Sequence, residues 1–164
     1  MLSELEKGLG YVFRDKALVT NALTHSSYAN ENRDRGIHDN ERLEFLGDSI
    51  LGFVVADYLY RNFPGKPEGE LTRIRADLVC ETNLASQADT IRLGEFLLLG
   101  HGEENGGGRK RASIVSDAME SVIAASYMDG GFEAAKGIID RLILCDVPTG
   151  RPNNFDYKTA LQEL

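Results

Sequence analysis

Apolar residues recur at helical spacing along most of the chain. Ser3 to Gly8 and Asp15 to Leu23 are short helical segments, the second opened by an aspartate suited to accept from free helix amides. A long pattern starts at the Asp39-Asn40 pair and stops at Phe63, before Pro64, whose ring disfavours helical backbone at the preceding residue. Its apolar residues Leu43, Phe45, Leu46, Ile50, Leu51, Phe53, Val54 and Val55 fall on nearly every side, which predicts a buried helix at the centre of the fold. Gly65, Pro67 and Gly69 mark a turn, and Glu70 to Val79 and Thr82 to Ile91 read as two more helices. Phe96 to Leu99 is a short apolar run that fits either type. Gly100 to Gly108 predicts a flexible surface loop delivering the basic cluster Arg109, Lys110 and Arg111. Helical spacing returns from Ser113 to Met128, ends at Gly130 and Gly131, and restarts from Phe132 to Leu144. The expectation is an all-α fold.

The organisation predicted is one domain over residues 1–146, a linker rich in proline and glycine over 147–156, and a further helix start over 157–164 that reads as the opening of something cut short. The 42% apolar and 27% charged shares are those of a folded globular protein. The first ten residues lack the pattern of a secretory signal, and the longest apolar stretch, Ile50 to Ala56, falls far short of the roughly 20 residues a membrane span needs. Cys80 and Cys145 have no paired metal spacing and read as reduced thiols. A cytoplasmic protein with no membrane partner is the expectation.

The candidate chemistry lies in carboxylates. Glu41, Glu44 and Asp48 stand at i, i+3 and i+7 of the long helix, within about 60° of one another. Acids sharing a stripe of an apolar helix repel one another and lose hydration, a cost of several kcal/mol unless a cation compensates. Glu41, in the first turn, is equally explained by the helix dipole, whose effect fades by Glu44 and Asp48. Asp117 and Glu120 form a second i, i+3 pair among Val115, Ala118, Val122, Ile123, Ala124 and Ala125, small and apolar residues that permit close helix contact. Two such helices facing each other would make an all-oxygen site suited to Mg²⁺ or Mn²⁺. Metal-assisted phosphodiester hydrolysis is the reaction such a site supports, with water attacking, since no serine or cysteine stands beside an evident base. Glu44, Asp48, Asp117 and Glu120 are the expected catalytic and metal-binding set. The net charge of −8 opposes nucleic acid as a partner, although two bound divalent ions would bring it to about −4.

Asn40-Glu41-Arg42-Leu43-Glu44-Phe45-Leu46-Gly47-Asp48-Ser49 resembles, residue for residue, the signature motif of bacterial ribonuclease III. Leu23-Thr24-His25-Ser26-Ser27-Tyr28, Asp117-Ala118-Met119-Glu120 and Tyr127-Met128-Asp129 are similar to further segments of that family, in the same order. The resemblance spans nearly the whole chain. It implies an all-α endonuclease-domain fold built around a long central helix, and a homodimer. It also implies Mg²⁺-dependent cleavage of double-stranded RNA to 5′-phosphate and 3′-hydroxyl ends with short 3′ overhangs, in rRNA and mRNA processing. In the family's motif Glu44, Asp48, Asp117 and Glu120 match the catalytic carboxylates and Glu41 an auxiliary acid, while Glu68 falls where the family has another acid near the site. Phe45 matches an aromatic inserted into the dimer partner, with an ordinary core phenylalanine as the alternative. Tyr157 to Glu163 resembles the segment introducing the family's double-stranded RNA-binding domain, otherwise missing here.

Arg73, Arg75, Arg109, Lys110 and Arg111 are candidates for phosphate contact, or simply solvated charge. Two competing readings are a relative that has lost catalysis and only binds RNA, disfavoured by the four acids, and a phosphohydrolase using His38-Asp39, disfavoured by the few remaining histidines.

Overall fold

The structure, a computed structural model, describes residues 2–148. Among the described residues there are nine α-helices: α1 (Leu2–Leu9), α2 (Lys16–Ala22), α3 (Ser26–Glu31), α4 (Glu41–Asn62), α5 (Glu68–Val79), α6 (Glu81–Thr90), α7 (His101–Asn105), α8 (Ala112–Gly130) and α9 (Phe132–Leu142). Single 3₁₀ turns occur at Arg33–Arg35, Leu93–Phe96 and Gly108–Lys110. These residues contain no strand, only an isolated bridge between Thr24 and Leu98. The all-α expectation holds. Most of the expected linker and the helix start from Tyr157 lie outside the described residues.

Two helices organise the core. α8 runs through the middle, touched by α2, α4, α6 and α9, and its Ala118, Met119, Val122, Ile123, Ala124 and Ala125 are all at most 1% exposed. Burying a side chain such as Met119 or Ile123 contributes about 1.5–3 kcal/mol, and the alanines let neighbouring backbones approach. α4 lies along α8 and contributes Leu51, Val54, Val55 and Leu59 to the same core. Its burial is one-sided: Phe45, Phe53 and Tyr60 are 78%, 60% and 76% exposed. The sequence predicted a helix covered all round, whereas among the described residues Phe45 and Tyr60 stay open on that face and Phe53 meets Phe132 of α9, ring centroids 5.9 Å apart.

Helix ends follow their chemistry. Asp15 caps α2 by accepting from the Ala17 amide at 2.9 Å. α8 stops where Gly131 takes φ 81°, a backbone that glycine adopts readily. Asp129 accepts from the Tyr11 hydroxyl and the Arg14 and Asp15 amides, tying the end of α8 to the chain's beginning. α5 starts two residues before the predicted Glu70, with Pro67 at its N-cap position and Glu68 accepting from Thr72 Oγ1. α3 was not anticipated.

The stretch predicted as a flexible loop is instead α7 followed by a 3₁₀ turn. Glu31 of α3 accepts from the His101 amide and ring, Glu104 accepts from Arg109 Nε at 2.6 Å, and Glu103 pairs with Arg111. Arg109 also donates to the Leu97 carbonyl at 2.7 Å. Glutamates within the segment therefore engage two of the three basic residues. Both cysteines are free and exposed, and no helix among the described residues is long and apolar enough to cross a membrane.

Candidate metal centre

The site begins with a close crossing of α4 and α8. Gly47 faces the backbone of Glu120, and a β-carbon built there would lie 1.9 Å from the Glu120 carbonyl oxygen. Only glycine permits that approach, one turn from Glu44 on α4 and directly at Glu120 on α8.

Asn40 fixes the same crossing from one side. The sequence marked it as a helix cap, yet it is 5% exposed, makes no capping side-chain bond, and donates its side-chain amide to the Ala22 carbonyl at 2.9 Å. Asp39 accepts from the Glu41 amide instead. The Asn40 backbone amide donates to the Thr24 carbonyl at 3.0 Å, and its own carbonyl accepts from the Glu44 amide at 2.8 Å. The buried Ser121 hydroxyl donates to that carbonyl and to the Asp117 carbonyl, at 3.2 and 2.8 Å. One residue thus joins the α2–α3 junction, the first turn of α4 and the acidic turn of α8. Its place beside the acids was visible in the sequence, but its inward orientation was not.

These contacts bring Glu44, Asp117 and Glu120 together, with a carboxylate oxygen from each lying within 4.8 Å of the other two. All three are half-buried. Burial foremost, then the charges of Asp48, Asp117 and Glu44 and a hydrogen bond with Asp48, pushes the Glu120 carboxyl up to about 8. Glu44 is raised by burial and by Asp117, Glu41 and Asp48. Asp117 is raised chiefly by burial and by Glu81 and Glu41, while His25 acts in the opposite direction. Crowded carboxyls that hold protons are the expected state of an oxygen-donor site without its cation, because a divalent ion would supply the missing positive charge. The residues therefore fit a divalent metal.

The other expected site residues take distinct places. Asp48 is exposed and reaches the cluster through Glu120. Glu41 is exposed in the first turn of α4 and acts on Glu44 and Asp117 through its charge. Glu68 lies apart from the cluster, at an open hollow of about 290 Å³ that it lines with Ala56, Leu59, Tyr60, Leu71, Thr72 and Arg75. Phe45 projects from the exposed face of α4.

Comparison with known proteins agrees with this geometry. Residues 15–147 match the Ribonuclease-III-like family. Curated relatives named Ribonuclease 3 include one from Caldanaerobacter subterraneus subsp. tengcongensis, 50% identical over 100% of this chain and 72% of its own length. Another, from Syntrophotalea carbinolica, is 47% identical over 97% of this chain and 69% of its own. Among solved structures, a nuclease domain of ribonuclease III from Campylobacter jejuni, described as flexible in a region involved in dimer formation, superposes with a TM-score of 0.83. It is 44% identical, over 90% of this chain and 99% of that one. The chain belongs to the ribonuclease III family of endoribonucleases.

Proposed function

We propose that this chain cleaves double-stranded RNA by Mg²⁺-assisted phosphodiester hydrolysis, leaving 5′-phosphate and 3′-hydroxyl ends with short 3′ overhangs, in rRNA and mRNA processing. The observation that carries the reading is the convergence of Glu44, Asp117 and Glu120 at the α4–α8 crossing. Glu44, Asp48, Asp117 and Glu120 are the catalytic and metal-holding set, with Glu41 as an auxiliary acid at its edge. Mg²⁺ matches the all-oxygen donors, and Mn²⁺ can substitute. When bound, the ion lowers the pKa of water and stabilises charge developing on the phosphodiester oxygens.

The protein's own contribution is placement and charge. Gly47 and Asn40 hold the two acidic turns in register, so the carboxyls meet without reorganising when substrate arrives. Glu120 keeps a proton near neutral pH until a cation displaces it, which spares the empty site the repulsion of four ionised acids.

The working unit is a homodimer. Phe45, Ser49, Gly52, Ala56 and Tyr60 lie within about 80° on the uncovered face of α4, and a β-carbon at Gly52 would touch nothing within 4 Å. Phe45 stands at one end of this stripe and the hollow at the other, roughly 20 Å away. A two-fold axis near Gly52 would seat each Phe45 in the other subunit's hollow. The same rotation would carry Glu68, on the rim of that hollow, toward the acidic end of the partner's α4. Such a placement would account for an auxiliary acid far from the cluster in one chain.

The test is incubation of a long RNA duplex and its single strands with the purified chain, with and without Mg²⁺, followed by mapping of both ends. Cleavage of the duplex alone, dependent on Mg²⁺ and leaving 5′-phosphates with staggered ends, supports the reading. Preference for single strands, or equal cleavage in chelator, overturns it.

A further inference from the structure

We propose that His25 is a substrate-contacting residue of this nuclease: its imidazole Nε2–H donates a hydrogen bond to a phosphate oxygen of the RNA backbone beside the Glu44–Asp117–Glu120 cluster. The inference rests on the proposed reaction.

The ring's orientation and tautomer are set by its neighbours. Nδ1 accepts from the Ser27 amide at 3.2 Å, and the Ser27 hydroxyl lies 2.8 Å from the same nitrogen. That hydroxyl already accepts from the Gly100 amide at 2.9 Å, which leaves its proton to point at Nδ1. With two donors on Nδ1, the ring proton resides on Nε2. Nε2 has no hydrogen-bond partner among the described residues, and no unpaired polar atom there is sealed from water. His25 therefore presents a fixed, open donor.

The backbone brings that donor to the metal centre. The His25 amide donates to the Leu98 carbonyl at 3.0 Å, and the preceding Thr24 carbonyl accepts from Asn40. Asn40 in turn accepts from Glu44 and Ser121, so His25 follows a segment bonded to the junction that joins both acidic helices. The ring lies within electrostatic reach of the Asp117 carboxyl, which Glu81 and Glu41 also approach. Phosphate approaching four acids needs donors at the rim, and Arg109 and Arg111, which lead into α8, are engaged by Glu104 and Glu103. Capping α3, which His25 also does through Nδ1, needs no imidazole: asparagine is among the best residues for that task.

This last point separates the two roles. In His25→Asn the side-chain oxygen can take over the capping of Ser27 while the Nε2 donor is lost. In His25→Gln the amide reaches toward the Nε2 position and the cap is weakened. The expected result for His25→Asn is an unchanged unfolding temperature and Mn²⁺ affinity, with kcat/KM on duplex RNA reduced about 10- to 100-fold, the cost of losing one hydrogen bond to a charged group. His25→Gln should recover part of that loss despite melting earlier. Assays are run at a temperature where all three proteins are fully folded. Wild-type activity in His25→Asn, or a loss wholly matched by weaker Mn²⁺ binding, overturns the proposal while leaving the nuclease reading intact. A wild-type chain inert toward duplex RNA overturns both.

Discussion

Gly47 on α4 lies so close to Glu120 on α8 that a methyl group at position 47 cannot be accommodated without moving one of the helices. The absence of a side chain at one residue therefore sets the spacing at which the other's carboxyl meets Glu44 and Asp117.

Substitution at this position should be costly for a reason that helix propensity does not supply. Gly47→Ala is expected to destabilise the protein by about 1–3 kcal/mol or more through forced separation of α4 and α8, and to weaken divalent-ion binding with it. Gly137→Ala, in α9 where a β-carbon meets nothing within 4 Å, should stabilise by roughly 0.5–1 kcal/mol. Chemical denaturation of the two variants checks the opposite signs.

The raised acids make stability depend on pH in an unusual sense. Glu120 moves from 4.5 to about 8 on folding, so between those values the folded state holds a proton that the unfolded chain has lost. Stability of the metal-free protein should fall as pH rises through this window, with Glu44 and Asp117 acting in the same direction. The lowered carboxyls, Glu4, Glu70, Glu104 and Asp129, exert their effect below their unfolded values and leave this window untouched. Thermal unfolding from pH 5 to 8 without divalent ions should show the decline, and saturating Mg²⁺ should abolish it.

The same protonation predicts proton release on metal binding. At pH 7 most Glu120 carboxyls are protonated, so filling the site should expel about one proton. Calorimetric titration with Mg²⁺ in two buffers of different ionisation enthalpy measures this directly. Identical heats in both buffers would contradict it.

Phe45 contributes almost nothing within its own chain, being 78% exposed. Phe45→Ala should leave monomer stability unchanged and weaken self-association about 30-fold or more, as removal of a central aromatic anchor does. Sedimentation at graded concentrations reads the dimer, and circular dichroism confirms the fold.

Much of this was legible in the sequence because it is local. The spacing of Glu44 with Asp48 and of Asp117 with Glu120 is a property of the helix repeat, and Asp15 and Gly131 end their helices by their own chemistry. What escaped depends on contacts between distant segments. Asn40 has the composition of a cap, and only a carbonyl eighteen residues away, that of Ala22, turns it inward. Gly47 reads as a weak point in a helix until Glu120 is opposite. The glycines between Gly100 and Gly108 hid α7 because its clasp to Glu31 involves another element. One-sided exposure of α4 also escaped, since an apolar residue on an open helix face has the same periodicity as one in the core.

The most direct test of the central claim is Mn²⁺ titration of the chain and of Glu120→Gln, followed by electron paramagnetic resonance of the free ion. Stoichiometric binding by the wild type and affinity reduced about 10-fold or more in the variant, with dimerisation intact, is the predicted result. Equal Mn²⁺ affinity in the two proteins, or none in either, would contradict a metal centre at the α4–α8 crossing.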